Sequence, residues 1–585
     1  MENFEDPELP EIPVSQSTSG KMRFLGIKLK LFLTVAFLAA GFVAWELVSL
    51  KKVNRNYDLK DERGISVAPD LFEDTRRNIS LSYGDVETRD FILTVANCSI
   101  PYVPIRGKVV SKKLRSHYDI PNCREPYGVQ SSLNDNDELV ISNADKYSSC
   151  CYAEITRPEH SKSDRYRRSQ HCEPYTNKTK LTGYEFFLTE CTTSTAQPSA
   201  QVNFHANIPM KKRVQDKIKY WSQIQEKPIS VMMIVLDSAS RSHAFRSLPR
   251  TLNLLLANMN FEDFKGHHIL GEPTMPNIIP LLLGASSSQE FWKTQKPSWT
   301  SQWDGYPFIW KKFTSLNYVT MFLEDDTVMG TFNYGGQTGF NMEPTDYYPR
   351  PLFVAHREGT LASMSKRDLC FGNQTIPEFS LNYHFKFLKR LQSTPTFSVN
   401  WMCRPHHDVM EGLQTLDGPL FNFFRGLSVE KSLLANTLVI LTSDHGYWSN
   451  SYAQTHEGLI ERRLPLLLMR LPEKLLRKHP EFRTNVQNNV HRITSHHDTY
   501  QTLVHISQLA SDKMKKRKKV VATSDKFRHS LFEHISVTRT CADANIPAYA
   551  CACNLPLPLD NPDGTDKIPD EIKLPPVLPN ALPFN

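Results

Sequence analysis

The chain has 585 residues, of which 40% are hydrophobic, 22% charged and 10% aromatic, with a net charge of +7. These shares sit near globular averages and exclude a disordered or fibrous chain, while a mean hydropathy of -0.42 excludes a polytopic membrane protein. The charge is small for the length and asks for no nucleic-acid partner.

Residues 1–30 are polar, contain Pro and Ser, and read as a cytosolic disordered tail. The long apolar run Leu31–Val48 predicts a transmembrane signal anchor over 31–50, near the lower edge of the ~17–25 residues a spanning helix needs. Lys21, Arg23, Lys28 and Lys30 precede it, so the N-terminus is expected in the cytosol and the rest in the lumen or outside the cell, a single-pass type II arrangement. A cleaved signal peptide is the alternative, with secretion as its consequence, and no small-x-small cleavage site supports it. Residues 51–75 read as a charged stalk, and 76–225 as an N-terminal lumenal region of short strands, turns and cysteines.

The 11 cysteines suit disulfides in an oxidising compartment, and their odd number leaves at least one thiol unpaired within the chain. Zinc is the competing reading of Cys541, Cys551 and Cys553, but C-x-C departs from the usual C-x2-C spacing. Sequons at Asn78, Asn97, Asn177 and Asn373 fit a glycoprotein.

From 226 to 553 the texture changes. Apolar runs at 229–236, 318–323, 396–401, 437–442 and 464–471 predict buried strands, with helices at 248–259 and 420–434 between them. Continuous apolar runs alternating with amphipathic stretches argue an α/β fold with a mostly parallel sheet. Lys513–Lys519 is a basic run that reads as a solvated loop, with polyanion binding as the alternative. Residues 554–585 form a Pro-rich tail.

Polar groups follow four of these runs. The first ends in Asp237-Ser238-Ala239-Ser240-Arg241, the second in Glu324-Asp325-Asp326, the third near His406-His407-Asp408, and the fourth in Ser443-Asp444-His445-Gly446. Ligands of open α/β sheets bind beyond the carboxyl ends of the strands, and carboxylates with imidazoles suit Zn²⁺ or Mn²⁺. Thr274 stands just before Pro276-Asn277, which reads as a helix start, where free N–H groups attract an anion. A threonine hydroxyl is a weak nucleophile that a divalent metal can activate; its alternative here is a helix cap.

The order Asp237, then Thr274-Met275-Pro276-Asn277, then Asp444-His445-Gly446 resembles the alkaline phosphatase superfamily, which includes phosphodiesterases, sulfatases and lipoteichoic acid synthases. Asp-Ser-x-Ser-Arg at 237–241, Gly-x-x-Glu-Arg at 458–462 and the ending Arg-Thr-Cys…Cys-x-Cys at 539–553 resemble, more closely, the family called domain of unknown function 229. The resemblance covers about 75–555. It implies an alkaline-phosphatase-like sandwich with a disulfide-bearing N-terminal region. It implies Asp237, Thr274, Asp444 and His445 around one divalent ion, zinc or manganese, with Thr274 as nucleophile. Asn277 then resembles a residue that holds a phosphoryl oxygen, His407 one that contacts substrate or a second ion, and Arg241 is a substrate-binding candidate. The position that a second ion would want as Asp is Cys403, so one ion is favoured. The implied activity is a metal-dependent phosphoric-ester hydrolase or transferase acting on a small-molecule, lipid or glycan substrate. The alternatives are a catalytically silent extracellular binding protein of the same fold and a sulfatase-like hydrolase. The last lacks the Cys or Ser that becomes formylglycine.

Overall fold

The computed structural model describes residues 90–557, except 116, 120–121, 124–130, 135, 142–143, 159–163, 177, 195–199, 296–301, 329, 335–336, 360–368 and 516–525. The expected tail 1–30, anchor 31–50 and stalk 51–75 lie outside these residues, as do Asn78, Asn177, much of the basic run and nearly all of the Pro-rich tail. Among the described residues no helix is long and apolar enough to cross a membrane.

The described residues open with a hairpin, β1 (Phe91–Val95) and β2 (Cys98–Pro101). β3 (Tyr147–Thr156), β4 (Phe186–Thr193) and β5 (Ala200–Ala206) then form the antiparallel centre of a five-stranded sheet. Disulfides Cys150–Cys191 and Cys151–Cys172 lie within this region. Cys98–Cys553 and Cys123–Cys370 tie it to the segments that follow. Cys541–Cys551 is the fifth, and Cys403 is a buried free thiol. α1 (Lys212–Ser222) buries Val214 and Trp221 and leads into the main sheet.

That sheet has six strands. β6 (Ser230–Leu236), β7 (Glu262–Asp263), β9 (Val319–Glu324), β10 (Thr396–Met402), β11 (Thr437–Thr442) and β12 (Leu467–Arg470) lie in the order β7-β12-β11-β6-β10-β9. β8 (His267–His268) stands apart, paired in parallel with β13 (Thr494–Ser495). The four strands β9, β10, β6 and β11 are parallel. Each is buried along almost its whole length, as expected of a sheet covered on both faces. Their sequences, SVMMIVL, VTMFLE, TFSVNWM and TLVILT, are largely apolar because neither face meets water, with Ser398 and Asn400 buried as polar exceptions.

Helices cover the faces and make the crossovers. Among them are α2 (Arg241–Ser247), α3 (Met275–Ile278), α4 (Ile376–Arg390), α5 (Asp417–Val429), α6 (His456–Arg462) and α7 (His496–Lys515). α4 starts on a capping box in which Thr375 Oγ1 accepts from the N–H of Glu378 and the Glu378 carboxylate accepts from the N–H of Thr375. α5 carries the chain from β10 to β11 and buries Leu420, Phe423, Phe424 and Leu427.

Three expectations are corrected in detail. The run 464–471 does not join the parallel set: β12 is antiparallel to β11. The chain leaves β11, builds the site turn and short α6, and re-enters beside the strand end it left, with the Ser443 N–H donating to the Leu466 carbonyl at 2.9 Å. The helix expected at 248–259 runs as Pro249–Asn253 and then a π-helical turn, Leu254–Asn258. The helix expected at 420–434 ends at Val429 and resumes as Lys431–Ala435.

Candidate metal centre

β6 and β11 are neighbours in parallel, so the residues that follow them leave the sheet at the same edge. Asp237 follows β6, and Asp444 and His445 follow β11. Ser238 turns the chain sharply with φ +57°, which lets Ser240 cap α2 by accepting from the N–H of His243 at 3.0 Å. Thr274 arrives from a third direction, on the loop that runs into α3. Its side chain makes no capping bond there; its Oγ1 lies 3.2 Å from Nε2 of His445.

Asp237, Asp444 and His445 are all buried, and their candidate ligand atoms lie within 4.8 Å of one another. Each is held by its other atoms. Asp237 Oδ1 accepts from the Ser238 hydroxyl at 2.8 Å, and Oδ2 accepts from the Trp401 indole N–H at 3.2 Å. Asp444 Oδ1 accepts from the N–H groups of Ser238 and His445 at 2.9 and 2.8 Å. Asp444 Oδ2 is buried with no hydrogen-bond partner among the described residues. His445 Nδ1 sits 2.9 Å from the Gly446 carbonyl, which only accepts, so Nδ1 carries the proton and Nε2 the lone pair. That lone pair faces Asp444 Oδ2 at 3.3 Å. Without a proton on Nε2 the two acceptors repel, and a cation between them, a proton or a metal ion, removes the repulsion. Asp, Asp, His and a threonine hydroxyl form a donor set that suits a divalent ion such as zinc or manganese.

The charges agree. Burial and the Asp237 charge push the Asp444 carboxyl up to about 6. Burial acts on Asp237 in the same sense but is overcome by His407, His445 and the bonds from Ser238 and Trp401, which hold it below its usual value. His407 stands half-buried beside the pair, with Nδ1 3.1 Å from Asp408 Oδ1. Burial lowers its basicity, but the bond to Asp408 and the charge of Asp237 prevail and raise it to about 9.

Two candidates have other employment. Both amide hydrogens of Asn277 are donated to backbone carbonyls, Gly271 and Pro273, at 2.8 Å each, and its Oδ1 accepts from the Leu270 N–H at 2.8 Å. It latches the loop that carries Thr274 and has no hydrogen left for a phosphoryl oxygen. Asn277→Ala is expected to cost about 2–4 kcal/mol of stability in chemical denaturation, because three buried backbone groups lose their partner. The buried Arg241 guanidinium forks onto Asp263 of β7, Nε to Oδ1 at 2.9 Å, and packs over the Phe245 ring. A substrate would have to break that buried pair to claim it.

Sequence reasoning missed most of the supporting layer. Trp401 holds Asp237 from a strand that reads only as hydrophobic. Asp325 is buried and accepts from the Cys403 N–H at 2.7 Å, which fixes the start of the segment bearing His407. Arg462 pairs with Glu272, two residues before Thr274. His496 Nε2 sits 2.8 Å from the Asp444 carbonyl. The signal for Arg462 was present in the Gly-x-x-Glu-Arg motif and that for Asp325 in the polar strand end Glu324-Asp325-Asp326; Trp401 has none at sequence level. Gly446 is constrained by approach: a Cβ there would meet the Glu461 carbonyl oxygen at 2.7 Å and Arg462 Cα at 2.8 Å. Both are backbone atoms, so the turn must shift, and the Gly446 carbonyl that orients His445 shifts with it. Gly446→Ala is expected to lower metal affinity by ~10–100-fold in a chelator competition, with the fold retained by circular dichroism.

Fold and site together define an α/β protein with a buried Asp–Asp–His cradle and a threonine hydroxyl at its mouth. The chain belongs to the family described as Protein of unknown function (DUF229), whose match spans residues 111–568. No curated protein matches it. Among solved structures it is similar to the C-terminal periplasmic domain of EcEptC from Escherichia coli in complex with Zn, at 13% identity and a TM-score of 0.34, covering 48% of this chain and 83% of that one. The lipoteichoic acid synthase LtaP from Listeria monocytogenes matches at 11% identity and a TM-score of 0.30, covering 42% and 66%. A protein in the alkaline phosphatase superfamily from Vibrio parahaemolyticus matches at 14% and 0.32, covering 51% and 74%.

Proposed function

We propose that this chain is a metal-dependent phosphoric-ester hydrolase or transferase that works through Thr274. The carrying observation is convergence: Thr274 Oγ1 stands 3.2 Å from His445 Nε2, beside a buried Asp444 oxygen that has no hydrogen-bond partner among the described residues. Asp237, Asp444 and His445 would hold one divalent ion, with Thr274 at its edge. The ion supplies Lewis-acid chemistry, which acidifies a hydroxyl and offsets charge on a phosphoryl group. Thr274 Oγ1 attacks phosphorus and passes its proton to water. The ester P–O bond breaks, and the leaving oxygen takes a proton from His407, which Asp408 and Asp237 keep charged. Water or an acceptor alcohol then breaks the phosphothreonine bond and restores the hydroxyl, while His407 recovers its proton. The substrate is a small-molecule, lipid or glycan phosphoester. Ten cysteines paired in five disulfides support a lumenal or extracellular catalytic region on the type II anchor proposed at 31–50.

The test is metal analysis of the full chain, together with incubation with an activated aryl phosphodiester and peptide mass spectrometry. About one equivalent of zinc or manganese, lost in Asp444→Ala/His445→Ala, and a phosphoryl group on Thr274 that keeps the substrate's second ester substituent are expected. A folded, metal-supplemented protein that holds no ion would reject the reading and leave an extracellular binding protein.

A further inference from the structure

A basic stretch borders a cavity that the catalytic reading leaves unused. Residues 106–115, RGKVVSKKLR, carry Arg106, Lys108, Lys112, Lys113 and Arg115 and no acidic residue. All five cations are exposed. The short helix Lys108–Lys113 buries Val109 and Val110, which with Leu114 pack on Met410, Tyr447 and Tyr452. Tyr447 stands two residues after His445, and its hydroxyl donates to the Asp408 carbonyl at 3.0 Å. The Arg115 N–H donates to Glu411 Oε1 at 2.9 Å. The stretch is therefore fixed to the two segments that carry His407 and His445. Arg106 and Arg115 edge a cavity of about 750 Å³, and His243, Ser247, Met410 and Asp417 form its buried lining.

A solvated basic helix is the plain reading. It leaves the cavity without a role and the charge without a partner. Arg106, Lys108, Lys113 and Arg115 make no ion pair with a described residue. The acids around the cavity are engaged by other groups. Asp417 accepts from the N–H groups of Arg250 and Thr251 at 3.2 and 2.8 Å, and Glu461 is forked by Arg246 at 2.7 and 2.8 Å. Glu411 holds the Arg115 N–H, and Glu457, close to Gly107, is buried. His117 faces Asp119 at 3.6 Å and adds no net charge. Exposed cations at the rim of a concave, low-dielectric wall focus their field on the cavity and draw an anion into it. A membrane surface would want exposed apolar side chains among the cations, but Val109 and Val110 are buried and Leu114 is half-buried. A single-stranded nucleic acid would want exposed rings for its bases, and Tyr118 in the cavity wall is half-buried. Ser111, His243, Ser247 and Gln414 in the lining instead suit hydroxyl groups.

We propose that residues 106–115 and this cavity bind a polyanionic glycan, a sugar chain that carries sulfate, carboxylate or phosphate groups. Its anionic groups meet Arg106, Lys108 and Arg115 at the rim, and its hydroxyls meet the polar lining. Because the stretch is anchored through Met410 and Tyr447, a bound chain lies alongside the segments that build the candidate metal centre. Binding involves no covalent step and needs neither the metal nor Thr274, so it is independent of the catalytic reading.

The test is fluorescence anisotropy of a fluorescein-labelled heparin octasaccharide titrated with the full chain. Saturable binding that weakens as salt is raised is expected. Arg106→Ala/Lys108→Ala/Arg115→Ala should weaken it by at least ~10-fold, whereas Lys516→Ala/Arg517→Ala/Lys518→Ala, in the other basic run, should weaken it by less than ~3-fold. Ser111→Trp and Gln414→Trp each fill the cavity without removing a charge, and each should weaken binding by at least ~5-fold with circular dichroism unchanged. Unlabelled heparin should displace the probe, while neutral dextran should not, nor should phosphatidylserine vesicles or oligothymidylate at the same total charge. The proposal falls if the folded chain does not bind the probe, or if the first triple variant binds it as tightly as the wild type. It falls equally if the second triple variant loses as much affinity as the first, or if both cavity-filling variants keep theirs. Displacement by vesicles or oligothymidylate as effective as that by heparin would replace the glycan with a membrane or a nucleic acid.

Discussion

Thr274→Ala is expected to abolish turnover of a phosphodiester while leaving both the fold and the bound metal in place. The hydroxyl makes no capping bond to α3, and among the described residues its one hydrogen-bond contact is His445 Nε2. Its removal therefore withdraws no backbone partner, and Tm should move by less than about 2 °C. Asp237, Asp444 and His445 keep their positions through Ser238, Trp401 and Gly446, so metal content should stay close to one equivalent. Activity should fall by roughly 10³–10⁶-fold, the range for loss of a nucleophile. Thr274→Ser keeps a hydroxyl and should retain measurable turnover. The contrast separates chemistry from structure. If Thr274→Ala lost its metal, or melted many degrees lower, the threonine would be a structural ligand. If it kept wild-type turnover, the attacking group would be water and no phosphothreonine would form.

That Asp237, Asp444 and His445 come together was legible because they follow apolar runs. Asp237 and Asp444-His445 follow strands whose continuous burial is written in SVMMIVL and TLVILT, and a parallel sheet sends such endings to one edge. Thr274 was legible from Pro276, which marks a helix start. Asn277 shows the limit of this reasoning. An amide at a helix start fits a substrate contact and a loop latch equally well in sequence, and only the positions of the Gly271 and Pro273 carbonyls choose the latch. Arg241 fails in the same way, since Asp263 comes from an edge strand of two residues with no strand signature of its own. The antiparallel β12 was illegible because burial on both faces looks alike in either direction. The disulfides were foreseen as a class, but their pairing depends on contacts as distant as Cys98 to Cys553.

Metal removal should make the protein's stability depend on pH in a window set by Asp444. Without a cation, Asp237 and Asp444 share a buried pocket, and burial with the Asp237 charge raises the Asp444 carboxyl from 3.8 to about 6. A group whose pKa is higher in the folded state stabilises that state while protonated. Its contribution is complete below about pH 4 and is lost as pH rises through about 6. The metal-free protein should thus weaken between pH 4 and pH 7, by at most about 3 kcal/mol from this group. Asp237 acts in a different window, because its carboxyl is held below the usual range and its contribution is lost only on acidification below about pH 4. An ion held by Asp444 would reverse the balance. It would bind only the ionised carboxylate, so affinity should rise about tenfold per pH unit up to about pH 6 and then level off. The gap in stability between metal-loaded and metal-free protein should therefore widen from pH 5 to pH 7, reaching about 4 kcal/mol at a thousandfold excess of ion over its Kd. Denaturant titrations at the two pH values, with and without a strong chelator, measure that gap. Asp444→Asn carries no titrating proton and should flatten the pH dependence of the metal-free protein as it loses the ion. A gap that stays constant from pH 5 to pH 7 would place the ion away from Asp444, and a gap that narrows would mean that the folded protein binds its ion through a group that acid, not base, makes available.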